Sequence, residues 1–279
     1  MGANSAARRL VKTALYPVLN EHTYVYIQAA AKAWDIRSGK WSEPELDLLR
    51  HALRPGETAL DVGANYGLYS YHLSRLEGVR VYAFEPVPFT FRTLRFVARL
   101  LRLRGVELVE KGCSDRAGRI TFTVPVQASG AVAAGQAYIG GRDDAREGRE
   151  RQVRWAGTRD VTAEVVALDE FLPASERVTL FKCDIEGAEL LAFRGAERVI
   201  GEGLPTVICE INPWFLEGFG IRLEELLGFF GERGYRLYHY RDDEGGRGRL
   251  REVAAAEVVE DNYVFIHPTR AGRFAELMA

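Results

Sequence analysis

Asp61, Gly63, Asn65 and Gly67 stand at alternate positions in DVGANYG, directly after the apolar run TALDV and within the approach to the helix-forming run YGLYSYHLSRL. A turn that ends a strand and opens a helix presents free backbone N–H groups, and glycine lets a ligand approach the chain, so an α/β sheet binds ligands there. The spacing argues against a dinucleotide. A G-x-G-x-x-G fingerprint counted from Gly63 needs glycine where Asn65 and Leu68 stand. Glu85 ends the next apolar run, about 20 residues past the turn, where a carboxylate accepts hydrogen bonds from both hydroxyls of a ribose and disfavours a 2′-phosphate. Acidic residues also interrupt or close two later apolar runs: Asp184 and Glu186 in FKCDIEG, and Glu210 in VICEIN, which Asn212 ends. A carboxylate buried in such a run is costly unless it is paired or put to use.

The elements that must hold these residues follow from periodicity. TALDVG (58–63) and VRVYAFEP (79–86) read as strands with a helix between them, and strand, helix, strand within about 30 residues is a βαβ unit with parallel strands and a right-handed crossover. The alternation continues with a helix at 88–103, strands at VELVEKG (106–112) and ITFTVPV, and regular structure again at TAEVVALDEFL. The strand VTLFKCDIEG (178–187), the helix AELLAFRGAERVI, the strand PTVICEIN (205–212) and a helix at 222–233 follow. YRLYHY and NYVFIHP then read as a terminal hairpin whose long tip is the Arg- and Gly-rich segment 241–251. This order predicts a doubly wound α/β sheet of seven strands with an antiparallel edge. Residues 1–53 read as a helical extension, with Leu10, Ala14, Val18, Leu46, Leu49 and Leu53 on an apolar stripe interrupted at Pro17, Gly39 and Pro44. The α/β domain then runs over 54–279, and the stretch 127–160, with little periodicity, reads as a long surface insertion.

The DxGxNxG turn resembles the D/E-x-G-x-G-x-G first motif of Rossmann-like methyltransferases, with asparagine for the middle glycine. Asparagine tolerates left-handed backbone angles better than most residues. Together with AFEPVP, GCSDRAG and above all FKCDIEGAELLAFRGAERVI, it makes residues 56–240 similar to the FkbM family of methyltransferases. The resemblance implies a Rossmann-like class I methyltransferase sheet and transfer of a methyl group from S-adenosylmethionine to a small acceptor, often a hydroxyl on a sugar, polyketide or other natural product. It implies that the 61–67 loop wraps the amino-acid part of that cofactor. The KGCSDRAG turn would border the adenine, with Ser114 or Asp115 bonding its exocyclic amine, although Asp-Arg-Ala-Gly is also an ordinary hairpin turn. Asp184 would sit beside the transferred methyl, either as a base with a pKa raised by closure from water or as a partner for the cofactor's ammonium group. Glu186 is either a site residue or a helix N-terminal cap, and helical geometry should turn Glu189 elsewhere. Glu210 and Asn212, on the same rim, can face the acceptor. Asp184, Glu186 and Glu210 are also oxygen ligands of the kind magnesium accepts, so that ion is allowed but not demanded, and no histidine-rich cluster supports zinc.

Bulk properties narrow the alternatives. A formal net charge of -2 over 279 residues gives no global field for a polyanion or an anionic membrane. No nucleic-acid partner is expected. Cys113, Cys183 and Cys209 lack CxxC spacing and read as reduced core thiols, which with the absence of a signal-peptide pattern or an 18-residue apolar run points to the cytoplasm and no membrane span. The apolar face of the helical extension suits a homodimer, and Tyr24, Tyr26, Trp34 and Trp41 suit either core packing or a lid over the acceptor. His72 and His239 read as surface or core histidines. Two other functions use the same sheet: an NAD-dependent oxidoreductase or epimerase, disfavoured by the missing fingerprint, and a noncatalytic nucleotide-fold binding module, disfavoured by the intact acidic groups.

Overall fold

The computed structural model describes residues 21–127, 138–139, 155–243 and 246–278. An eight-stranded sheet forms the centre, in the order β11-β10-β12-β9-β8-β1-β2-β3. Its strands are β1 (Thr58–Val62), β2 (Arg80–Phe84), β3 (Val106–Val109), β8 (Val178–Cys183), β9 (Thr206–Ile211), β10 (Arg236–Asp242), β11 (Gly248–Glu252) and β12 (Asp261–Ile266). The five strands from β9 to β3 run parallel, whereas β12, β10 and β11 pair antiparallel in turn. All five residues of β1 and all six of β8 are buried, as expected for central parallel strands with both faces covered. The chain winds outward from β1 to β2 and β3, then returns to β8 and β9 on the other side, so the topological switch lies between β1 and β8.

The longer helices are α1 (Glu21–Arg37), α2 (Leu68–Leu73), α3 (Pro88–Leu101), α4 (Glu189–Arg194), α5 (Glu197–Gly203), α6 (Pro213–Gly218) and α7 (Leu223–Gly231). Side chains alternate between faces along a strand. Leu60, Val62, Phe181 and Cys183 belong to the core beneath α4, α5 and α7, whereas Ala59, Leu180, Ile208 and Val264 belong to the core on the opposite face, with Leu48, Leu49 and Tyr69. Alternation therefore directs Asp61, Lys182 and Glu210 to that second face, and the ladder places Asp61 directly opposite Lys182.

Three expectations need correction. The main sheet has eight strands rather than seven, because β11 occupies part of the predicted hairpin tip, and β12 inserts between β9 and β10. ITFTVPV does not join that sheet: β5 (Gly118–Gln127) pairs with β7 (Trp155–Val166), and with β4 (Gly112–Cys113) and β6 (Tyr138–Ile139) they form a separate four-stranded sheet. Residues 155–160 of the predicted insertion are therefore strand, held by a ladder with β5 that spans the intervening chain. The stripe at Leu10, Ala14 and Val18 lies outside the described residues. The described part of the extension spends its apolar face within the chain, since Ala29, Ala33 and Ile36 pack with Leu68, Val97 and Leu101. No helix of the described residues is long and apolar enough to cross a membrane. Cys113, Cys183 and Cys209 are buried and unpaired.

Candidate active site

Asp61 ends up almost fully buried on β1, accepting a 2.5 Å hydrogen bond from Ser70 Oγ on α2. Burial raises its pKa, and Lys182 and Ser70 offset part of that rise. Beyond it, Gly63 has φ +80° and lies so close to β8 that a Cβ would fall 1.9 Å from the Asp184 carbonyl oxygen. Glycine is thus required at 63 by the protein's own backbone. Asn65 takes the left-handed angle allowed to asparagine, at φ 49°, and Gly67 follows at φ 90° as the residue capping α2. Asn65 donates its backbone N–H to Glu85 Oε2 at 3.0 Å, and Val87 N–H donates to Glu85 Oε1 at 2.9 Å. The turn and the end of β2 are therefore tied through the Glu85 carboxylate, with a lone pair still open on each oxygen. Burial drives the Glu85 pKa up to about 7 against those two donors. Asn65 Oδ1 is buried and has no donor.

The second centre forms where β8 ends. Lys182 is buried to 3% exposure, with Nζ 2.9 Å from Asp184 Oδ2 and 5.0 Å from the centre of the Tyr69 ring. Burial lowers the pKa of its ammonium, but Asp184, Asp61 and Glu43 outweigh this and hold it charged. Asp184, with its side chain 36% exposed, forms the mouth of this cluster. Burial raises Asp184, yet Lys182 and a hydrogen bond with Glu210 bring it below the ordinary aspartate value, contrary to the raised pKa expected from sequence. The raised group is Glu210 on β9. Burial, the adjacent Asp184 charge and the shared hydrogen bond push it up to about 10, so at neutral pH Glu210 is the protonated donor and Asp184 the carboxylate. The two titrate as a pair, with one proton between them.

The loop after Asp184 is braced from below. Glu189, at the start of α4, folds back so that Oε1 accepts from the N–H groups of Ile185 and Gly187, each at 3.0 Å. It is part of the loop's scaffold rather than turned away from it, and burial raises its pKa to about 7. Glu186 sits at φ 57° within the loop, two residues before the Ala188 cap position, so it is not the helix cap. Gly187 is fixed by a close approach to the Phe215 backbone, whose carbonyl oxygen a Cβ would meet at 2.5 Å. Asn212 caps α6, accepting from Trp214 and Phe215 N–H at 3.1 and 3.3 Å, which commits its oxygen to structure.

Ser114 is buried and Asp115 exposed in the turn after β4, where Ser114 Oγ donates to Asp115 Oδ1 at 3.2 Å and the Ser114 carbonyl packs against Gly195. His239 pairs with Asp261 at 3.1 Å, and His72 packs edge-on against Tyr71, so both are engaged outside the cluster. Trp41 packs its edge toward Tyr66, Tyr24 is buried against Phe89, and Tyr26 and Trp34 are more than half exposed. Among the described residues no group of three or more His, Cys, Asp or Glu side chains is arranged for a metal ion, so magnesium finds no support there, and Asp184 already has Lys182 as its cation. Lys182, Glu43 and the bracing role of Glu189 were not singled out from sequence. A lone lysine inside VTLFKC, facing the strand that carries Asp61, was the available signal for the first.

A 28% identical relative, "Methyltransferase sdnD" of Sordaria araneosa, aligns over 60% of this chain and 70% of its own length. The 31-O-demethyl-FK506 methyltransferase FkbM of Streptomyces tacrolimicus is 45% identical over a shorter stretch, 26% of this chain and 30% of its own. Among solved structures, a methyltransferase FkbM from Methylobacillus flagellatus is 18% identical, with TM-score 0.43, covering 80% of this chain and 50% of that one. The family model described as the methyltransferase FkbM domain matches residues 61–237, from the first carboxylate of the turn to β10, so the chain belongs to the FkbM methyltransferase family.

Proposed function

We propose that this protein transfers a methyl group from S-adenosylmethionine to a hydroxyl of a small acceptor such as a sugar, a polyketide or another natural product. The observation that carries the reading is the Asp184–Glu210 pair beside buried Lys182 at the switch point of the sheet. Membership in a methyltransferase family, a glycine-rich turn with a buried acceptor free at Asn65 Oδ1, and a Glu85 carboxylate with open lone pairs support S-adenosylmethionine as the cofactor. That cofactor supplies an electrophilic methyl carbon. Glu85 would accept the ribose hydroxyls, and the 61–67 loop would enclose the amino-acid end. An alcohol becomes a competent nucleophile as it gives up its proton, and the partly exposed Asp184 carboxylate would be the group that accepts it from a hydroxyl held beside the cofactor. Lys182 holds Asp184 in place and keeps it ionised, and Glu210, donating to the same carboxylate, fixes its direction.

The test has two parts. Calorimetry with S-adenosylhomocysteine should show binding that weakens in Asp61→Ala and Glu85→Ala. Incubation of the protein and S-adenosylmethionine with metabolite extracts should yield products heavier by one methylene, with far less formed by Asp184→Asn. Absence of binding removes the cofactor, and products methylated only on nitrogen or carbon remove the hydroxyl acceptor.

A further inference from the structure

Helix α1 lies wholly before residue 61, where the family match begins, yet it reaches the turn that follows β1. Its Gln28 donates Nε2–H to the Tyr66 hydroxyl at 2.9 Å. Tyr66 is the residue between Asn65 and Gly67, and it is buried. The same ring is fixed on a second side, with the Lys32 ammonium 4.8 Å from its centre and 4.5 Å from that of Trp41, whose ring stands at 70° to that of Tyr66. A lysine between two aromatic faces is a cation–π clamp. Burial raises the Tyr66 pKa, and the nearby Glu85 charge raises it further, so the phenol stays neutral and sits close to the carboxylate assigned to the ribose.

Two acceptors in this cluster are buried with no donor: Gln28 Oε1 and Asn65 Oδ1. Folded proteins rarely leave such atoms unpaired, because a carbonyl removed from water loses hydrogen bonds that an apolar side chain of the same shape would never have needed. One amide sits on α1 and the other in the turn, and Tyr66, bonded to the first and adjacent in sequence to the second, joins them. Asn65 also supplies the N–H that holds Glu85.

We propose that α1 is part of the nucleoside site, with Gln28 setting the position of Tyr66 and presenting its amide oxygen to N–H and O–H donors of the bound nucleoside. The inference rests on the cofactor reading above and adds to it a residue from outside the family's matched region. It also gives the extension a function beyond covering α2 and α3. Lys32 and Trp41 act one step removed, by holding the Tyr66 ring.

The experiment is calorimetry on the full chain with two probes, S-adenosylhomocysteine and 5′-methylthioadenosine, which keeps the nucleoside but lacks the amino acid. Gln28→Met, close to the original shape, should weaken both probes about tenfold, the scale of one lost hydrogen bond. Tyr66→Phe, which removes only the hydroxyl, should weaken both as well, and the double variant should lose less than the product of the two, because one hydroxyl–amide contact links them. Thermal unfolding should leave Tyr66→Phe within a few degrees of the parent, and that variant answers the question if Gln28→Met does not fold. Unchanged affinity for both probes overturns the inference, as does a loss confined to S-adenosylhomocysteine, which would move Gln28 to the amino-acid end. A parent protein that binds neither probe is a failure of the cofactor reading itself.

Discussion

Replacing Lys182 by methionine isolates the electrostatics of the cluster. The ammonium is 3% exposed, 2.9 Å from Asp184 Oδ2, and faces Asp61 across the β1–β8 ladder. Removing one member of a buried ion pair costs about 3–5 kcal/mol, because the remaining charge loses its partner without regaining water. Asp184 is 36% exposed and water takes up part of the loss there, so the expected cost near pH 8 is about 2–3 kcal/mol. That is a large share of a total stability of about 5–15 kcal/mol. The cost must also depend on pH. In the parent, the folded-state pKa of Lys182 is raised, so its contribution is intact at all pH below its unfolded value near 10.4. In the variant, Asp61, Asp184 and Glu43 lose the cation that lowered each of them, so burial carries Asp61 and Glu43 further above their unfolded values and lets Asp184 rise from below its own. A carboxyl whose folded pKa is raised stabilises below its unfolded pKa and loses that contribution as pH rises through the folded one. The gap between variant and parent should therefore widen between about pH 5.5 and 8. Urea unfolding followed by circular dichroism at both pH values measures it. A gap of the same size at both, or one below about 0.5 kcal/mol, refutes the placement of Lys182 as the counterion of this cluster.

Gly63→Ala should cost at least about 3 kcal/mol, or prevent folding, since φ is +80° and the added carbon would lie 1.9 Å from the Asp184 carbonyl oxygen; a thermal midpoint near that of the parent would contradict this. Glu85 and Glu189, both raised to about 7 by burial, should make the ligand-free protein lose stability as pH rises from about 4.5 to 7, by the same sign argument, and Glu189→Gln should flatten that slope in urea titrations. Asp184→Asn should lower kcat by about 100- to 10,000-fold while S-adenosylhomocysteine still binds, and near-parental turnover in a stopped assay would exclude Asp184 as the proton acceptor.

The turn at Asp61 and the place of Glu85 just after β2 were legible in sequence because each depends on local facts: a run of buried residues, a left-handed turn, and a fixed distance along one βαβ unit. The roles of Lys182 and Glu210 depend instead on which residues lie side by side across strands. VTLFKC shows a lysine in an apolar run but not that the ladder sets it opposite Asp61, and the shared proton on Asp184 and Glu210 needs two strands brought into register. The second sheet escaped for the same reason, since β5 and β7 pair across a long intervening stretch. Glu189 was misjudged because ideal helical spacing does not describe the turn before α4, where Glu186 and Gly187 both take positive φ. Gly63 was recognised, but for a ligand's sake, whereas the nearest constraint is a neighbouring strand.

That contact has a practical reach. With no room for even one carbon between residue 63 and the peptide of residue 184, the two loops behave as a single mechanical part: displacing one displaces the other. Attempts to broaden acceptor range by exchanging loops among relatives would succeed only if the exchanged segment begins after Asp184 and keeps Gly187, whose own neighbour is the Phe215 backbone. Diversity introduced beyond α6, past the contact between Phe215 and Gly187, leaves this joint untouched.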